Sequence, residues 1–245
     1  MNLIREVEAK VNRPFSEKYI ETQGLIASNI LTFKDKIAVA FSGGKDSTVA
    51  LHIAWQLQPD ILVVFNNTGV EYPETVTFVK ELAEKWNLNL VVTHPEKTYW
   101  DIVKAKGYDT GKRKKHNDCC YWVKEKPMRQ LVKQLGIKAE ITGITAVENR
   151  MRMFNARDYG WCFYSKKNKT QRIHPLMWWT PGEVWDYINV MNLPRNPVYD
   201  KGAERVGCMP CTAHKLWEQQ MIRTAPKLYE IIKLRKDNQY VMRLG

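Results

Sequence analysis

The stretch Lys36-Ile-Ala-Val-Ala-Phe-Ser-Gly-Gly-Lys-Asp-Ser47 decides the fold class. Residues 36–41 form a nearly continuous apolar run, which is typical of a short strand buried on both faces of a parallel sheet. An apolar-periodic segment follows Ser47 and predicts a helix. A glycine pair between such a strand and such a helix is where nucleotide phosphates bind, because backbone N–H groups approach the anion without a Cβ in the way.

The alternation of strands and helices continues along the chain. Strand-like runs recur at residues 61–65, 88–92 and 140–143, and helical patterns intervene at residues 74–86 and 120–135. Alternation at this spacing predicts βαβ units. We therefore expect an α/β fold, a parallel twisted sheet with helices on both faces.

Helical additions are expected at both ends of this domain. Residues 1–34 and residues 213–245 carry helical apolar patterns, the second interrupted near Pro226, which leaves residues 35–212 as the nucleotide-binding domain. Within it, Thr180-Pro-Gly-Glu183 predicts a helix start, since threonine can cap, proline suits the first helical position and glutamate completes a capping box.

Composition and charge narrow the class of protein. The 245 residues are 44% hydrophobic and 11% aromatic, which excludes whole-chain disorder. The longest apolar run is about five residues, whereas a membrane helix needs about 20. The N-terminus shows no secretory signal pattern, so we expect a cytoplasmic protein with no membrane partner. The net charge of +12 indicates a polyanionic partner, either a nucleic acid or a nucleotide, with an ordinary basic surface as the alternative.

The residues of the glycine-rich loop suit phosphate chemistry. Gly43 and Gly44 allow close backbone approach, Lys45 supplies a positive charge, and Ser42 and Ser47 supply hydroxyl groups near a helix N-terminus. The spacing is not that of P-loop NTPases. The alternative interpretation is an ordinary strand-to-helix turn.

This loop resembles the pyrophosphatase loop of the adenine-nucleotide alpha-hydrolase superfamily. Within that superfamily, residues 36–212 resemble the phosphoadenosine phosphosulfate (PAPS) reductase family. Asn67 stands where the family usually has Asp, and Thr145 and Asn149 replace an Arg and a Ser. The segments that carry the resemblance follow in order: Ser42-Gly-Gly-Lys-Asp-Ser47, Asn67-Thr-Gly69, Tyr72-Pro-Glu-Thr75, Gly143-Ile-Thr-Ala-Val-Glu-Asn-Arg150, His174-Pro-Leu176, Leu193-Pro-Arg-Asn-Pro-Val-Tyr-Asp200 and Gly207-Cys-Met-Pro-Cys-Thr212.

The resemblance implies a set of site residues and a substrate, ATP with Mg²⁺, for which adenosine phosphosulfate (APS) or PAPS is the alternative. Lys45, Asp46 and Arg150 are the implied catalytic residues, with Arg150 offsetting phosphate charge. The implied nucleotide-binding residues are Ser42, Gly43, Gly44, Lys45, Asp46, Ser47, Asn67, Thr68, Gly69, Gly143 and Glu148.

Five cysteines are an odd number and argue for metal or thiol chemistry rather than a disulfide framework. Cys119 and Cys120 are adjacent, and Cys208 and Cys211 form a Cys-x-x-Cys pair. Four thiolates in two pairs suit a [4Fe–4S] cluster or zinc, with core or redox cysteines as a third possibility. Adjacent cysteines favour the larger cluster, and the pattern resembles that of APS reductases, which carry a [4Fe–4S] cluster. Cys162, between two aromatic residues, is predicted to be a buried structural thiol.

Two basic segments, residues 104–115 and 164–172, flank parts of the chain that the resemblance places at the nucleotide site. Most such runs are solvated loops. Contacts to a phosphate backbone need this kind of charge near the reacting centre, so a face for nucleic acid is the second interpretation.

Three functions are compatible with these features. The first is an iron–sulfur ATP pyrophosphatase that adenylylates a nucleic-acid group for sulfur incorporation. It resembles the ATP-pyrophosphatase subunits of DNA phosphorothioation systems, with tRNA thiolation as a variant. Its expected partners are a nucleic acid, DNA rather than tRNA, and a sulfur donor such as a cysteine desulfurase, with a homo-oligomer possible. The second is an APS or PAPS reductase that uses an external thiol, because no cysteine follows Cys211 to match the family's nucleophile. The third is a nucleotide-binding subunit without chemistry.

Overall fold

The computed structural model describes residues 4–108, 118–212 and 216–241. Six strands form one sheet: β1 (Ile37–Phe41), β2 (Leu62–Asn66), β3 (Asn89–Thr93), β4 (Ala139–Thr142), β5 (Cys162–Ser165) and β6 (Thr170–Ile173). Their order across the sheet is β3-β2-β1-β4-β6-β5. Neighbouring strands run parallel except β5, which pairs antiparallel with β6 at the edge.

The α-helices of the described residues surround this sheet. They are α1 (Arg5–Val11), α2 (Phe15–Phe33), α3 (Lys45–Leu57), α4 (Pro73–Lys85), α5 (Tyr99–Lys106), α6 (Lys126–Leu135), α7 (Arg150–Tyr159), α8 (Pro181–Val190), α9 (Trp217–Thr224) and α10 (Pro226–Val241). A π-helical turn, Tyr121–Glu125, leads into α6, and a 3₁₀ turn, Ala146–Glu148, precedes α7. No helix in the described parts of the chain has both the length and the apolar character that crossing a bilayer requires.

Both faces of the sheet are covered, because successive side chains of a strand point to opposite faces. Val39 and Val63 belong to the large core cluster that also holds residues of α2, α3, α4 and α8. Ala38 and Val64, one position away, pack with Leu131 on α6. The predicted parallel sheet with helices on both faces is therefore confirmed.

The helical ends of the chain pack in different ways. From α2, the fully buried Ile26 is part of the large core cluster, so the N-terminal helices share the core of the sheet. From α9 and α10, Trp217, Met221 and Ile232 form a separate cluster with Tyr108. The break between α9 and α10 falls at residue 225, next to the predicted position.

Local sequence patterns predicted the positions of several elements correctly. The Thr180 hydroxyl accepts the backbone N–H of Glu183, and the Glu183 carboxylate accepts the backbone N–H of Thr180, so the capping box is confirmed. The predicted strands agree with β1 to β4 to within one or two residues.

The β5–β6 hairpin was not predicted, because its sequence was interpreted as a basic loop. Residues 164 and 165 and residues 170–172 lie on strands, and the lysines between them form the turn, where Lys169 has φ of 58°. Buried Glu140 on β4 accepts a hydrogen bond from Thr170 and pairs with Arg172 at 2.7 Å, which explains why so polar a strand enters the sheet. From the other basic segment, Lys104 and Lys106 lie on α5, and residues 109–117 lie outside the described residues.

Candidate active site and cysteine cavity

The connections from β1 and β4 leave a crevice at the carboxyl ends of these two strands. β1 and β4 are neighbours in the sheet. After β1 the chain continues to β2 on one side of this pair, and after β4 it continues to β5 and β6 on the other side, so the two connections leave in opposite directions. In open α/β sheets, ligands bind at such a point. The loop of residues 42–47, called the phosphate loop from here on, follows β1, and Gly143 follows β4. Both predicted elements therefore lie at the crevice.

The phosphate loop is a tight turn closed by its own serines. Gly43 has φ of 73°, in the left-handed region that favours glycine. The Ser47 hydroxyl donates to the carbonyl of Gly44 at 2.8 Å and accepts the N–H of Ser42 at 3.2 Å. Because α3 begins inside the loop, the partial positive charge of its N-terminus lies where a phosphate would bind.

Two residues after α8 hold the phosphate loop from outside. The Asn196 amide donates to the carbonyl of Gly43 at 3.0 Å and to the Thr75 hydroxyl at 2.9 Å. The Tyr199 hydroxyl accepts the backbone N–H of Lys45 at 2.9 Å. Burial raises the pKa of Tyr199 to about 12, so its hydroxyl stays neutral beside the loop. The segment 193–200 therefore fixes the shape of the loop.

The end of β4 packs directly on the backbone of the phosphate loop. A Cβ at Gly143 would lie 2.4 Å from the carbonyl carbon of Asp46 and 2.5 Å from the nitrogen of Ser47. A side chain at this position would push the loop and the sheet apart. Gly143 therefore serves the site by permitting this contact.

Charged side chains surround the loop. The Lys45 ammonium lies 2.6 Å from the Asp46 carboxylate. Burial lowers the pKa of Arg152, the positive charge of Arg205 lowers it further, and Asp46 opposes the shift. The two guanidinium groups and the carboxylate are thus within electrostatic reach of one another. Lys45 in the loop, with two guanidinium groups within electrostatic reach of its neighbour Asp46, provides positive charge for a polyphosphate.

His174 is a buried histidine behind this site. Its Nδ1 lies 2.6 Å from the hydroxyl of Thr142, at the end of β4. Burial lowers the pKa of His174 to about 3, and the charges of Arg172 and Arg152 act in the same direction. The ring is therefore neutral near pH 7.

The four predicted cysteine ligands line a single cavity of about 110 Å³. Cys119 and Cys120 open the segment before the π-helical turn, and Cys208 and Cys211 come from the loop after residue 207. Tyr99 closes the cavity, and its hydroxyl donates to the carbonyl of Pro210 at 2.8 Å. The two pairs lie far apart in the sequence, and the fold brings them together.

Lys124 also lines the cavity, and sequence reasoning missed it. Burial disfavours its ammonium form, but Cys208, Glu71 and Cys120 outweigh this effect and raise the pKa of Lys124. Burial disfavours the charged thiolate of Cys208 and so raises the pKa of this thiol, and the positive charge of Lys124 partly offsets the increase. A cation is therefore held beside the sulfur atoms.

The donor set of the cavity fits soft metal chemistry, because four thiols are the ligands of zinc and of iron–sulfur clusters. Among the residues that the structure describes, no group of three His, Cys, Asp or Glu side chains converges as the ligands of one ion do. The thiols instead surround a common space. Cys162 lies on β5 outside this cavity and is half-buried rather than buried, because its strand is at the sheet edge.

A model of the phosphoadenosine phosphosulfate reductase domain matches residues 36–214. The chain belongs to this family. The phosphate loop, the end of β4 and both cysteine pairs all lie inside the matched range.

Two relatives show how this family member compares with known proteins. The chain is 30% identical over 208 residues to the adenosine 5'-phosphosulfate reductase of Geobacillus kaustophilus, covering 83% of this chain and 86% of the relative. It is 34% identical over 179 residues to an uncharacterized protein of Methanocaldococcus jannaschii, covering 72% of this chain and 41% of that protein. The chain therefore spans less than half the length of the second relative.

Solved structures share the fold of this PAPS reductase family member. The PAPS reductase of Candida auris has a TM-score of 0.62 at 20% identity, covering 85% of this chain and 97% of that one. The U34-tRNA thiolase of Methanococcus maripaludis, solved with its [4Fe–4S] cluster, has a TM-score of 0.56 at 14% identity, covering 93% and 81%. At these identities the likeness shows the fold.

The remaining predicted site residues lie after β2 and in the 3₁₀ turn before α7. After β2, the Asn67 side chain accepts the N–H of Gly69 at 3.0 Å, and the Thr68 hydroxyl lies 3.5 Å from the Cys208 sulfur. Thr68 therefore borders the cysteines. Glu148 forms an ion pair with Arg152.

Arg150 is exposed, with its guanidinium 5.6 Å from the ring centre of Phe154. Arg152, two positions later, is the arginine whose pKa responds to Asp46. The catalytic role predicted for Arg150 stays a prediction.

Proposed function

We propose that this PAPS reductase family member is an iron–sulfur ATP pyrophosphatase that activates a nucleic-acid group for sulfur incorporation. The observation that carries the proposal is the phosphate loop, which is locked by Asn196 and Tyr199 and packed against Gly143. Its sequence resembles the loop of ATP pyrophosphatases. A loop held this rigidly is suited to positioning a polyphosphate for attack at one phosphorus atom.

The proposed reaction has two displacement steps. An oxygen of the acceptor attacks the α-phosphorus of ATP, the bond from that phosphorus to the bridging oxygen breaks, and pyrophosphate leaves. A sulfur atom of a persulfide donor then attacks the activated acceptor atom, and AMP leaves with its bond to the acceptor oxygen intact. The acceptor now carries the donor through the S–S bond of the original persulfide. A second thiol attacks the donor's own sulfur and breaks that S–S bond, which leaves the outer sulfur on the acceptor and joins the donor and the second thiol in a disulfide.

The residues of the loop would support the first step electrostatically. Lys45 and, near the loop, Arg152 would neutralise charge on the phosphates, and the Asp46 carboxylate would bind the Mg²⁺ that accompanies ATP. The hydroxyl groups of Ser42 and Ser47 would lie beside the β- and γ-phosphates of a bound nucleotide. Such positioning and charge stabilisation is the main contribution that a protein makes to phosphoryl-type transfer.

The cysteine cavity supports an iron–sulfur group in this proposal. Cys119, Cys120, Cys208 and Cys211 would hold a [4Fe–4S] cluster, which when bound either passes sulfur to the acceptor or orders the site. Lys124 would balance the negative charge of a thiolate-ligated cluster. The thiolase of Methanococcus maripaludis, which has a similar fold and carries such a cluster, supports this assignment.

A sulfonucleotide reductase is the second candidate, because the relative that is 30% identical over most of both chains is an adenosine 5'-phosphosulfate reductase. In that function the phosphate loop would bind APS or PAPS, and an external thiol would take up the sulfonate. DNA in preference to tRNA as acceptor, a cysteine desulfurase as donor, a homo-oligomer and a cytoplasmic location also stay proposals.

One pair of assays distinguishes the two functions. The full chain is incubated with labelled ATP, with and without nucleic acid, and released pyrophosphate is measured. In parallel it receives APS or PAPS with thioredoxin, and sulfite is measured. We expect pyrophosphate and only background sulfite, whereas fast sulfite release without pyrophosphate would establish the reductase.

Substitutions in the loop connect the activity to the site. Lys45→Ala and Asp46→Ala should abolish pyrophosphate release. The matched control is Lys36→Ala, because Lys36 precedes the opposite, amino end of β1 and is exposed. Equal loss of activity in the control, or full activity of the loop variants, would contradict the assignment.

A further inference from the structure

An aromatic and basic surface lies next to the cysteine cavity and is not used by the proposed chemistry. It is built on the π-helical turn that directly follows Cys120. The carbonyls of Val123 and Lys124 in this turn accept hydrogen bonds from the Asn66 side chain at 3.2 and 3.1 Å. The end of β2 therefore holds a turn type that is rare and occurs mainly at functional sites.

The turn presents two aromatic rings next to cations. Tyr121 is 40% exposed, and its ring lies 5.8 Å from the guanidinium of Arg129 and 5.2 Å from the ring of Trp122. Over the Trp122 ring lie the ammonium groups of Lys97 at 4.2 Å and Lys126 at 5.2 Å. We call these five residues the aromatic–basic face.

This face keeps a positive charge. Its carboxylate partners are Glu96, which pairs with Lys126 at 2.5 Å, and Glu125, which pairs with Arg129 at 3.1 Å. Lys167 from the turn of the β5–β6 hairpin shares Glu125 at 2.7 Å. The three cations at the rings and Lys167 beside them thus outnumber Glu96 and Glu125, and the lysine-rich hairpin turn adjoins the face.

The face and the cysteine cavity are two sides of the same turn. Val123 and Lys124 line the cavity, while Tyr121 is exposed on the surface. Trp122 packs against the apolar cluster that contains Cys119 and Val123. A strand bound on this surface would lie next to the cavity.

Exposed aromatic rings between cations are the features by which proteins bind single-stranded nucleic acid, because bases stack on the rings while cations contact the phosphates. In a duplex the faces of the bases are already stacked on neighbouring bases, so an exposed aromatic side chain gains little stacking energy by binding a duplex. We propose that the aromatic–basic face binds an unpaired segment of nucleic acid, with a base stacked on Tyr121, and presents it to the site. This proposal rests on the proposed function and specifies its substrate as single-stranded.

The test is equilibrium binding of fluorescently labelled oligonucleotides to the full chain, measured by anisotropy. The probes are oligothymidylate, oligouridylate and a DNA duplex of the same length. We expect both single strands to bind more tightly than the duplex, and the ratio of the two single strands tells DNA from RNA as the source. Equal or tighter binding of the duplex would overturn the proposal.

Three substitutions test the mode of binding. Tyr121→Ala should weaken single-strand binding about tenfold, the loss typical of one base–ring stack, whereas Tyr121→Phe should bind normally. Lys97→Gln should lower the log–log salt slope by about 0.7, the value for one phosphate contact on a single strand. The control is Tyr159→Ala, since Tyr159 on α7 is 59% exposed and outside the face. Unchanged binding by Tyr121→Ala would overturn the stacking role.

The outcomes separate this proposal from the proposed function. Pyrophosphate release together with a preference for duplex, or with no effect of Tyr121→Ala, would leave the ATP chemistry standing and overturn the single-strand face. Single-strand binding that depends on Tyr121, without pyrophosphate release, would support the face and contradict the pyrophosphatase. Thermal unfolding of each variant shows that it is folded. If Tyr121→Ala is not, Tyr121→Leu replaces it, because leucine keeps apolar volume at this position and removes the ring.

Discussion

Replacing Gly143 by alanine is the sharpest test of the site's geometry. The new Cβ would lie 2.4 Å from the carbonyl carbon of Asp46, 2.5 Å from the nitrogen of Ser47 and 2.6 Å from the oxygen of Asp46. All three atoms belong to the backbone of the phosphate loop, so no side-chain rotation relieves the contact. Because non-bonded carbon atoms prefer about 3.5–4.0 Å, the loop and the end of β4 must separate by about 1 Å.

The cost of this separation follows from the packing of the site. Overpacking a close-packed interior costs about 1–3 kcal/mol. For a chain of this size, each kcal/mol lowers Tm by about 2–4 °C, so a cost of about 2 kcal/mol predicts a decrease of about 4–8 °C. The effect on catalysis is expected to be larger, because a displacement of about 1 Å costs about 100-fold in rate.

Gly24→Ala is the matched control for this substitution. Gly24 lies inside α2, and a Cβ there would meet no atom within 4 Å. Alanine at an exposed position in a helix is expected to stabilise by about 0.5–1 kcal/mol. Thermal unfolding, and the increase of Tm on adding ATP, are measured for both variants. If Gly143→Ala unfolds at the temperature of the unsubstituted protein and retains its ATP response, then β4 does not support the loop as argued.

Two further predictions concern the cavity and the buried histidine. Cys208→Ser should reduce the iron content and visible absorbance of anaerobically prepared protein, whereas Cys162→Ser, on β5, should leave both unchanged; tight stoichiometric zinc without iron would contradict the cluster. The pKa of His174 is about 3 in the folded protein and about 6.5 in the unfolded protein. Below about pH 6.5 the unfolded state therefore binds a proton that the folded state does not, so the free energy of unfolding decreases as pH falls. Urea unfolding should show a loss of about 2 kcal/mol from this residue between about pH 7 and pH 5, and His174→Gln should remove it, while an unchanged pH profile would refute the assignment.

The sequence predicted the elements whose residues follow a strong local pattern. β1 and β2 are nearly continuous apolar runs, and the loop after β1 carries its glycines in order, so all three were found from the sequence. The β5–β6 hairpin was missed because its polarity is satisfied only by a partner distant in sequence. Buried Glu140 on β4 bonds both Thr170 and Arg172, and no pattern within residues 162–173 reports that contact.

Arg152 was not predicted from the sequence, because its relation to the loop depends on segments far apart in the chain. Its pKa responds to Asp46 in the loop and to Arg205 near the cysteine pair. The ion pair of Arg152 with Glu148, four positions earlier, is a local signal that marks this arginine. The catalytic role predicted for Arg150 stays a prediction.

Arg205 connects the cysteine cavity to the surroundings of the phosphate loop. Arg205 lines the cavity, and its charge acts on Arg152 and Tyr199 beside the loop. The positive charges of Arg205 and Arg152 repel each other, and an anion bound between them would offset this repulsion. Phosphate binding at the loop is therefore expected to stabilise the observed position of Arg205. This residue lies three positions before Cys208 in the sequence. We therefore expect Arg205 to link phosphate binding at the loop to the arrangement of the cysteines.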